Sequence, residues 1–420
     1  MILSSVTLPS GETTDITIDN GVITAIGRSQ SKGIDCSGLV CLPGLVDLHA
    51  HLREPGYEAS ETIETGSAAA AMGGYTAVFA MANTLPVTDC AEVAEFVFEK
   101  GKRVGLVDVQ PIGAVTKRLE GKELSDLEAM ALSRAKVRVF SDDGNCVDDS
   151  VLMKQALIEA KRFDAVIAQH AQAPRLTVGS QMNESALCAE LGLTGWPAAA
   201  EVEIIKRDIE LSLELDARVH ICHITTAEGL DVVRWGKSKG AKVTAEVTPH
   251  HLMLTEELVR TLNPIYKVNP PLRLKTDTIA LREGLLDGSI DILATDHAPH
   301  SAEKKNCEWS RAANGMTGLE VAASVLQQVL IEEGGAAWDK FAKVASTVPS
   351  QIGRLFHHGQ IAEGGQANLV LIDPSARRVI DSTTQSLSRN NPWIGLELPG
   401  RVVQTLLRGV FTVKDGQLAN

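Results

Sequence analysis

The sequence predicts an α/β fold, with a closed (β/α)8 barrel and a small β-sandwich built from both chain termini. Along the middle of the chain, eight short apolar runs alternate with longer helical segments. Strands that alternate with helices pair in parallel through right-handed crossovers, and eight such units favour a closed barrel over an open sheet. At both ends of the chain the helical pattern gives way to strand-like runs and turn signals, which predicts the sandwich.

The candidate barrel strands are short and apolar, and they cover 45–50, 75–80, 104–109, 136–141, 164–169, 218–223, 242–247 and 290–295. The segments between them are longer and have a helical pattern, and the clearest cover 125–135, 150–161, 198–215, 227–239 and 276–287. An Ala-rich helix that ends near Met72, followed by a Gly-Gly turn, precedes the second strand. This alternation over residues 43–354 predicts a barrel of the TIM type.

Both ends of the chain have the pattern of β structure. The first forty residues are punctuated by glycines and include β-branched runs. Near the other end, 402–413 contains two strand-like runs around an Arg-Gly turn, which is typical of a hairpin. We therefore expect one small β-sandwich domain built from residues 1–42 and 355–420.

The composition excludes several classes of function. The 420 residues carry 40 Lys and Arg against 53 Asp and Glu, and the net charge of −13 argues against a general nucleic-acid binder. The seven cysteines form no CxxC pair and no secretory signal is apparent, so reduced thiols in a cytoplasmic protein are expected. The longest uncharged stretch, 65–88, is rich in Ala and Gly, and we expect no membrane segment there. A small anionic substrate is not excluded.

Histidines and aspartates stand at one end of several predicted strands. His49 and His51 are separated by one residue, so a strand points both imidazoles to the same face. Four other strands end at, or run into, Asp142-Asp143, His170, His223 and Asp296. The carboxyl ends of barrel strands form the mouth where active sites lie. Four imidazoles and two carboxylates there could hold two divalent metals, with one carboxylate bridging them.

Seven segments carry a family resemblance, and in chain order they are HAHLREPG (49–56), GGYTAVFAMANT (73–84), FSDDG (140–144), HICH (220–223), AEVTPHHLMLT (245–255), KVNPPLR (267–273) and ATDHAPH (294–300). Together they resemble the amidohydrolase superfamily and, within it, the dihydroorotases of the longer bacterial type. The fold of that family, a (β/α)8 barrel with a small β-sandwich from both termini, agrees with the pattern described above.

The resemblance implies a two-metal site. It assigns the metal ligands to His49, His51, Asp143, His170, His223 and Asp296. Asp143, rather than Asp142, matches the bridging carboxylate, and Asp296 matches the catalytic acid/base as well as a ligand. The implied cofactor is zinc, with two ions expected per chain, bridged by Asp143 and a hydroxide.

The resemblance also implies how substrate is held. The matching positions are His51, Arg53, Asn83, Asn269, His300, Asn314 and Gly315. Arg53 lies two residues beyond His51, and a guanidinium fork suits a substrate carboxylate. The segment 301–315 matches a mobile loop over the site. The remaining histidines are expected to be structural or to support the site, and they are His220, His250, His251, His297, His357 and His358.

The implied activity is the reversible, zinc-dependent cyclisation of N-carbamoyl-L-aspartate to (S)-dihydroorotate in pyrimidine biosynthesis. One alternative is another cyclic amidase, a hydantoinase or allantoinase. Many of those bridge their metals with a carboxylated lysine at the end of the fourth strand, whereas Lys136 stands at the start of that strand here. A second alternative is a noncatalytic subunit that supports aspartate transcarbamoylase, which the complete ligand set disfavours.

Two points stay open in the sequence. The family often has an acidic residue shortly after the ligand at position 170, but this chain has Gln172 in the run His-Ala-Gln-Ala. The sequence also leaves open whether the chain forms a homo-oligomer or associates with aspartate transcarbamoylase.

Overall fold

The computed structural model describes residues 1–419, which contain nineteen β-strands and thirteen α-helices. In chain order the strands are β1 Ile2–Thr7, β2 Thr13–Asp19, β3 Val22–Ile26, β4 Ile34–Asp35, β5 Val40–Pro43, β6 Leu45–Ala50, β7 Tyr75–Ala80, β8 Asp108–Pro111, β9 Val139–Phe140, β10 Val166–Gln169, β11 Met182–Asn183, β12 Gly195–Trp196, β13 Val219–Ile221, β14 Val243–Val247, β15 Ile292–Leu293, β16 Leu369–Val379, β17 Glu397–Leu407, β18 Val410–Lys414 and β19 Gln417–Leu418. The α-helices are α1 Ile63–Met72, α2 Ala91–Val104, α3 Leu127–Leu132, α4 Ser150–Arg162, α5 Ala186–Leu191, α6 Ala199–Leu215, α7 Ala227–Ser238, α8 Pro249–Met253, α9 Lys275–Asp287, α10 Ala302–Lys305, α11 Ala322–Leu326, α12 Trp338–Ala342 and α13 Val348–Ile352. None of the helices within residues 1–419 is long and apolar enough to cross a membrane.

Eight parallel strands form the barrel. β6, β7 and β8 pair in that order, and β9, β10, β13, β14 and β15 pair in a second run. A parallel bridge between Gly113 and Phe140 joins the two runs on one side, and one between Ala50 and His297 joins them on the other. The strands therefore follow each other around a closed ring in chain order, and the predicted (β/α)8 barrel is confirmed.

The strand boundaries follow the sequence pattern with one clear shift. β6 and β7 occupy the predicted positions, whereas the third strand is Asp108–Pro111 instead of 104–109. The reason is that α2 continues to Val104 and ends at Gly105, which takes the left-handed conformation with φ 71°. A residue without a Cβ ends a helix in this way at little steric cost.

The barrel interior is filled by small and medium apolar side chains. One buried cluster includes Val46, Ala77, Phe79, Val166 and Ile292, all on barrel strands. α13 packs against this cluster through Ile352. The larger cluster lies between the strands and the surrounding helices, so the strands are covered on both faces.

Strands from both ends of the chain form one nine-stranded sheet. Its order is β19-β18-β17-β16-β5-β1-β2-β3, with β4 beside β1. β16 pairs with β5 in antiparallel register, which joins the C-terminal part of the chain to the N-terminal part. The predicted hairpin is present between β17 and β18, where Arg408 and Gly409 have φ of 49° and 74°, the pair of positive φ values that a tight hairpin turn requires. The domain boundaries 42/43 and 354/355 stay a prediction.

Candidate metal centre and active site

Four imidazoles and two carboxylates meet at the carboxyl ends of the barrel strands. His49 lies on β6 and His51 directly follows it, while His170 follows β10. The other three come from the segments after further strands, and they are Asp143, His223 and Asp296. All six residues are 5% exposed or less. The structure thus brings together the six residues for which the sequence predicts metal ligation.

Asp143 presents one carboxylate oxygen to each of two histidine pairs. Its Oδ2 lies 3.5 Å from His49 Nε2 and 3.4 Å from His51 Nε2. Its Oδ1 lies 3.1 Å from His223 Nε2 and 3.2 Å from His170 Nδ1. Although burial acts to raise it, the pKa of Asp143 is held well below the ordinary value by the surrounding imidazoles. This arrangement is what a carboxylate shared by two metal positions requires.

Asp296 lies beside the first of these pairs. Its Oδ1 is 3.1 Å from His51 Nε2 and 3.5 Å from His49 Nε2. The backbone of Asp296 has φ 43°, and His223 and Arg53 also have positive φ, of 30° and 61°. Side chains with a Cβ rarely adopt this region, and each such residue costs about 1–3 kcal/mol that the surrounding structure must offset. Three of the fourteen non-glycine residues with positive φ in the described part of the chain therefore lie at the cluster.

His49 and His51 each present one ring nitrogen to the cluster, and with Asp143 they offer ligand atoms that all lie within 4.8 Å of one another. His49 Nδ1 lies 2.6 Å from Glu246 Oε1, and its Nε2 is buried without any hydrogen-bond partner. His51 Nδ1 lies 2.9 Å from the side-chain oxygen of Asn83, which leaves Nε2 for the cluster. An imidazole that donates its outer N–H to an oxygen has its other nitrogen lone pair free for a metal. The donor set of nitrogens and carboxylate oxygens is one that zinc accepts.

The buried Glu246 accepts hydrogen bonds from residues of this cluster, although the sequence did not indicate a role for it. Besides His49, its carboxylate accepts from the His220 imidazole at 2.9 Å and from the backbone N–H of His223 at 3.2 Å. The side chain is fully buried in β14. Burial acts to raise its pKa, but the two imidazoles prevail and lower the pKa to about 2. Its signal in the sequence was a lone carboxylate within the apolar run Val-Thr-Ala-Glu-Val.

A cavity of about 250 Å³ opens above the cluster. The seven predicted substrate residues all line it, namely His51, Arg53, Asn83, Asn269, His300, Asn314 and Gly315. Arg53 Nε donates to the Pro299 carbonyl at 3.1 Å, and burial lowers the pKa of Arg53 to about 10, so the guanidinium keeps its charge at neutral pH. Burial and the Arg53 charge lower the pKa of His300 to about 3, so its imidazole is neutral at pH 7, and its Nε2–H donates to the Asn314 carbonyl at 2.6 Å. A cationic guanidinium and a neutral imidazole therefore line the same cavity.

Asn83 and Asn269 contact other side chains as well as lining the cavity. Asn83 accepts from His51 and donates to the Asp143 carbonyl at 3.3 Å, so it positions the cluster as well as lining the cavity. Asn269 donates to the side-chain oxygen of Gln172 at 3.0 Å. That same oxygen lies 2.7 Å from His170 Nε2. Gln172 therefore provides the acceptor for His170 that the sequence left open.

A segment remote in sequence closes the rim of the cavity. The side-chain oxygen of Asn390 accepts from the backbone N–H of His300 at 3.1 Å. Its Nδ2 donates to the Ala298 carbonyl at 2.9 Å and to the Gly315 carbonyl at 3.1 Å. Asn390 thus fixes both ends of the loop 301–315, and no local sequence pattern indicated it.

The loop 301–315 is also fixed by two lysines. Lys305 donates its ammonium protons to three backbone carbonyls, those of Pro264, Lys267 and Ala313, at 2.8–2.9 Å. Lys267 in turn donates to the Trp309 carbonyl at 2.6 Å. The predicted contact residues at the end of the loop are held against the cavity by these reciprocal hydrogen bonds.

Comparison with known proteins agrees with this site. A family described as Dihydro-orotase-like matches residues 38–229. Relatives named Dihydroorotase include one from Streptomyces coelicolor, 55% identical over 97% of both chains, and one from Leifsonia xyli subsp. xyli, 54% identical over 99% of this chain and 96% of the other. A third, from Mycobacterium tuberculosis, is 48% identical over 97% of this chain and 96% of the other.

Solved structures of similar fold include one titled L-Hydantoinase (Dihydropyrimidinase) from Arthrobacter aurescens. It has a TM-score of 0.87 at 24% identity and covers 100% of this chain and 97% of the other. A structure titled D-hydantoinase has a TM-score of 0.85 at 23% identity, over 100% of this chain and 96% of the other. At this identity the likeness concerns the fold, whereas the relatives named Dihydroorotase are similar in sequence over nearly their whole length. The chain belongs to the dihydroorotase family, hydrolases that act on cyclic amides.

Proposed function

We propose that dihydroorotate and N-carbamoyl-L-aspartate are interconverted in the cavity above the metal cluster, with Asp296 as acid/base. The observation that carries this proposal is that the Asp143 carboxylate contacts both histidine pairs, while Asp296 and Arg53 line the same cavity. His49, His51, His170, His223 and the two aspartates would hold the metal. When bound, divalent ions supply Lewis-acid activation of a water and of the amide carbonyl.

The residues of the chain then orient substrate and move the proton. The Arg53 guanidinium pairs with the substrate carboxylate, and the neutral His300 and the amide of Asn269 complete the pocket. A carboxylate oxygen of Asp296 takes the proton of the attacking water. It returns this proton to the ring nitrogen as the C–N bond breaks, and ring closure follows the same path in reverse. Because Arg53 holds the substrate carboxylate, the bound ring amide is aligned with the attacking water.

The variant Asp296→Asn tests the acid/base assignment. We expect turnover of dihydroorotate to fall by about 10²–10⁴-fold because general acid/base catalysis contributes on that scale. Asp148→Asn, at an exposed aspartate on the loop after Asp143, is the matched control and should keep full activity. Near wild-type turnover by Asp296→Asn with metal still bound would show that the proton is carried by another group.

Two further assays separate the alternatives. Turnover of hydantoin and allantoin, measured beside dihydroorotate, should be lower, and the opposite order would assign the chain to another cyclic amidase. Purified chain that binds no metal and turns over no dihydroorotate would instead indicate a noncatalytic subunit.

Several finer properties belong to the same proposal. We infer zinc, two ions per chain, and a place in the cytoplasm, which is compatible with the seven free cysteines. Metal analysis of the purified protein, combined with the turnover assay, tests the first two. Light scattering after size-exclusion chromatography, with and without aspartate transcarbamoylase, tests for a homo-oligomer and for that association.

A further inference from the structure

A second cavity, of about 460 Å³, lies between β8 and β9. These strands are joined only by the bridge between Gly113 and Phe140 among the described residues, so they diverge before it. The cavity is lined by 134–138, which precede β9, whereas Asp143 follows β9. It therefore opens at the end of the barrel opposite to the metal cluster. Its volume is within the range of small-molecule sites, roughly 300–1,000 Å³.

The charged residues that line this cavity are all cationic. Its charged lining residues are Arg134, Lys136, Arg138 and Arg354, and no Asp or Glu lines it within residues 1–419. Arg134 pairs with Glu95 and Glu99, and Arg354 with Asp164. Lys136 and Arg138 have no ion-pair partner in the described part of the chain. Two unbalanced cations around one cavity, in a chain with a net charge of −13, favour an anionic ligand.

The Arg138 guanidinium is held in place beside the cavity. Arg138 Nη1 donates to the carbonyls of Ala131 and Val137 at 2.9 and 2.8 Å, which fixes the position of its head group. The Arg354 guanidinium is already engaged, since its Nη1 donates to the Gln351 carbonyl at 3.2 Å and its Nη2 to Asp164 at 2.6 Å. A guanidinium fixed in the way of Arg138 offers its remaining N–H donors to a phosphate, whose oxygens match the planar fork.

The other wall of the cavity is aromatic. Phe79, Phe98 and Phe356 line it, and the Phe356 side chain is 76% exposed. An exposed ring beside arginine heads is a surface on which a flat heterocycle stacks. The cavity thus combines a site for a phosphate with a site for a planar ring.

We propose that this cavity binds a nucleoside monophosphate, with the phosphate held by Arg138 and Lys136 and the base packed against Phe356. Such a site is independent of the proposed catalytic reaction, since none of its residues lines the cavity above the metal cluster.

Isothermal titration of the full chain tests this proposal, with uridine 5′-monophosphate and adenosine 5′-monophosphate as probes and inorganic phosphate and uridine as comparison ligands. We expect one nucleotide per chain, bound at least tenfold more tightly than either comparison ligand. Lys136→Gln and Arg138→Gln should each weaken nucleotide binding several-fold and leave the turnover of dihydroorotate unchanged. Phe356→Ser should weaken binding of the nucleotide but not of inorganic phosphate.

The control variants distinguish binding in this cavity from binding elsewhere on the chain. Lys239→Gln removes an exposed lysine that has no ion-pair partner in the described residues, and it should not alter binding. Because Arg138 also bonds backbone carbonyls, the exposed Lys136 and Phe356 provide variants that do not depend on its structural contacts. The proposal is overturned by nucleotide binding that saturating dihydroorotate abolishes, by equal affinity for nucleotide and inorganic phosphate, or by unchanged affinity in both Lys136→Gln and Phe356→Ser.

Discussion

The substitution Glu246→Gln tests whether the buried carboxylate below the cluster sets the metal affinity. Glu246 accepts from two imidazoles, His49 at 2.6 Å and His220 at 2.9 Å, and from the His223 backbone N–H. A glutamine offers a single carbonyl oxygen, so its NH₂ must face one of the donors. Where it faces His49, the proton moves to the nitrogen that points at the metal position, and ligation by that ring is lost.

The expected loss is about 10- to 100-fold in metal affinity, the usual effect of removing the outer partner of a metal-ligating histidine. This corresponds to about 1.4–2.7 kcal/mol. The assay is competition for zinc against a chromophoric chelator, followed by dihydroorotate turnover at saturating zinc. Glu256→Gln is the matched control, because Glu256 is also buried but accepts from Asn183, outside the cluster. Equal zinc affinity in Glu246→Gln and wild type would refute the role given to this carboxylate.

Three further substitutions test other parts of the structure. Gln172→Leu removes the acceptor of His170 Nε2 and should weaken zinc binding by about tenfold in a chelator titration, while Gln172→Glu, which keeps an acceptor, should not. Arg53→Lys replaces a bidentate fork by a point charge, and steady-state kinetics should show the KM for dihydroorotate raised by about 10- to 100-fold with unchanged metal content. Asp108 accepts from Arg408 at 2.8 Å, and its hydrogen bonds lower its pKa although burial acts to raise it. Because the native pKa of Asp108 lies below the ordinary 3.8, the ionised carboxylate stabilises the fold above that pH, and this stabilisation is lost as the pH falls further. In urea titrations, Asp108→Asn should therefore lower the free energy of unfolding by about 1–3 kcal/mol at pH 7 and by less at pH 3. Wild-type zinc affinity in Gln172→Leu would contradict the role of Gln172, and a wild-type KM in Arg53→Lys would contradict the role of Arg53. A loss of stability in Asp108→Asn that grows toward low pH would contradict the ionised state given to Asp108.

The fold could be predicted from the sequence because its periodic signals are local. Buried parallel strands appear as short apolar runs, and this located β6 and β7 to the residue. The third strand was predicted too early because the end of α2 depends on Gly105 adopting a left-handed conformation, which a run of apolar residues does not reveal. The predicted strand 136–141 has ladder pairing only at Val139–Phe140, where it pairs with β10.

The sequence predicted those site residues that stand at the ends of barrel strands, but not the residues that support them from elsewhere in the fold. The rule that the carboxyl ends of barrel strands meet at one mouth pointed to these strand-end residues, and the family resemblance supplied the ligand roles and the choice of Asp143 over Asp142. The structure places all six residues at that mouth. Gln172 and Asn390 were not found because their roles exist only in the contacts they make across the fold, the first with His170 and Asn269 and the second with the loop ends. A hydrogen-bond acceptor of this kind has no spacing rule in the sequence.

The position of Lys136 indicates that a shared fold does not imply a shared metal site or substrate. The solved structures of similar fold are titled hydantoinases, and a cyclic amidase that bridges its metals through a carboxylated lysine needs that lysine at the metal mouth. Here Lys136 precedes β9 and lines the cavity at the opposite end, while Asp143 follows β9 and contacts both histidine pairs. Seven residues of extended chain span on the order of 20 Å, which is beyond the reach of a lysine side chain. We therefore propose that the bridging group is the Asp143 carboxylate, which the chain carries itself. Assembly of the site should then be independent of dissolved carbon dioxide, and a requirement for bicarbonate in zinc reconstitution would contradict this assignment.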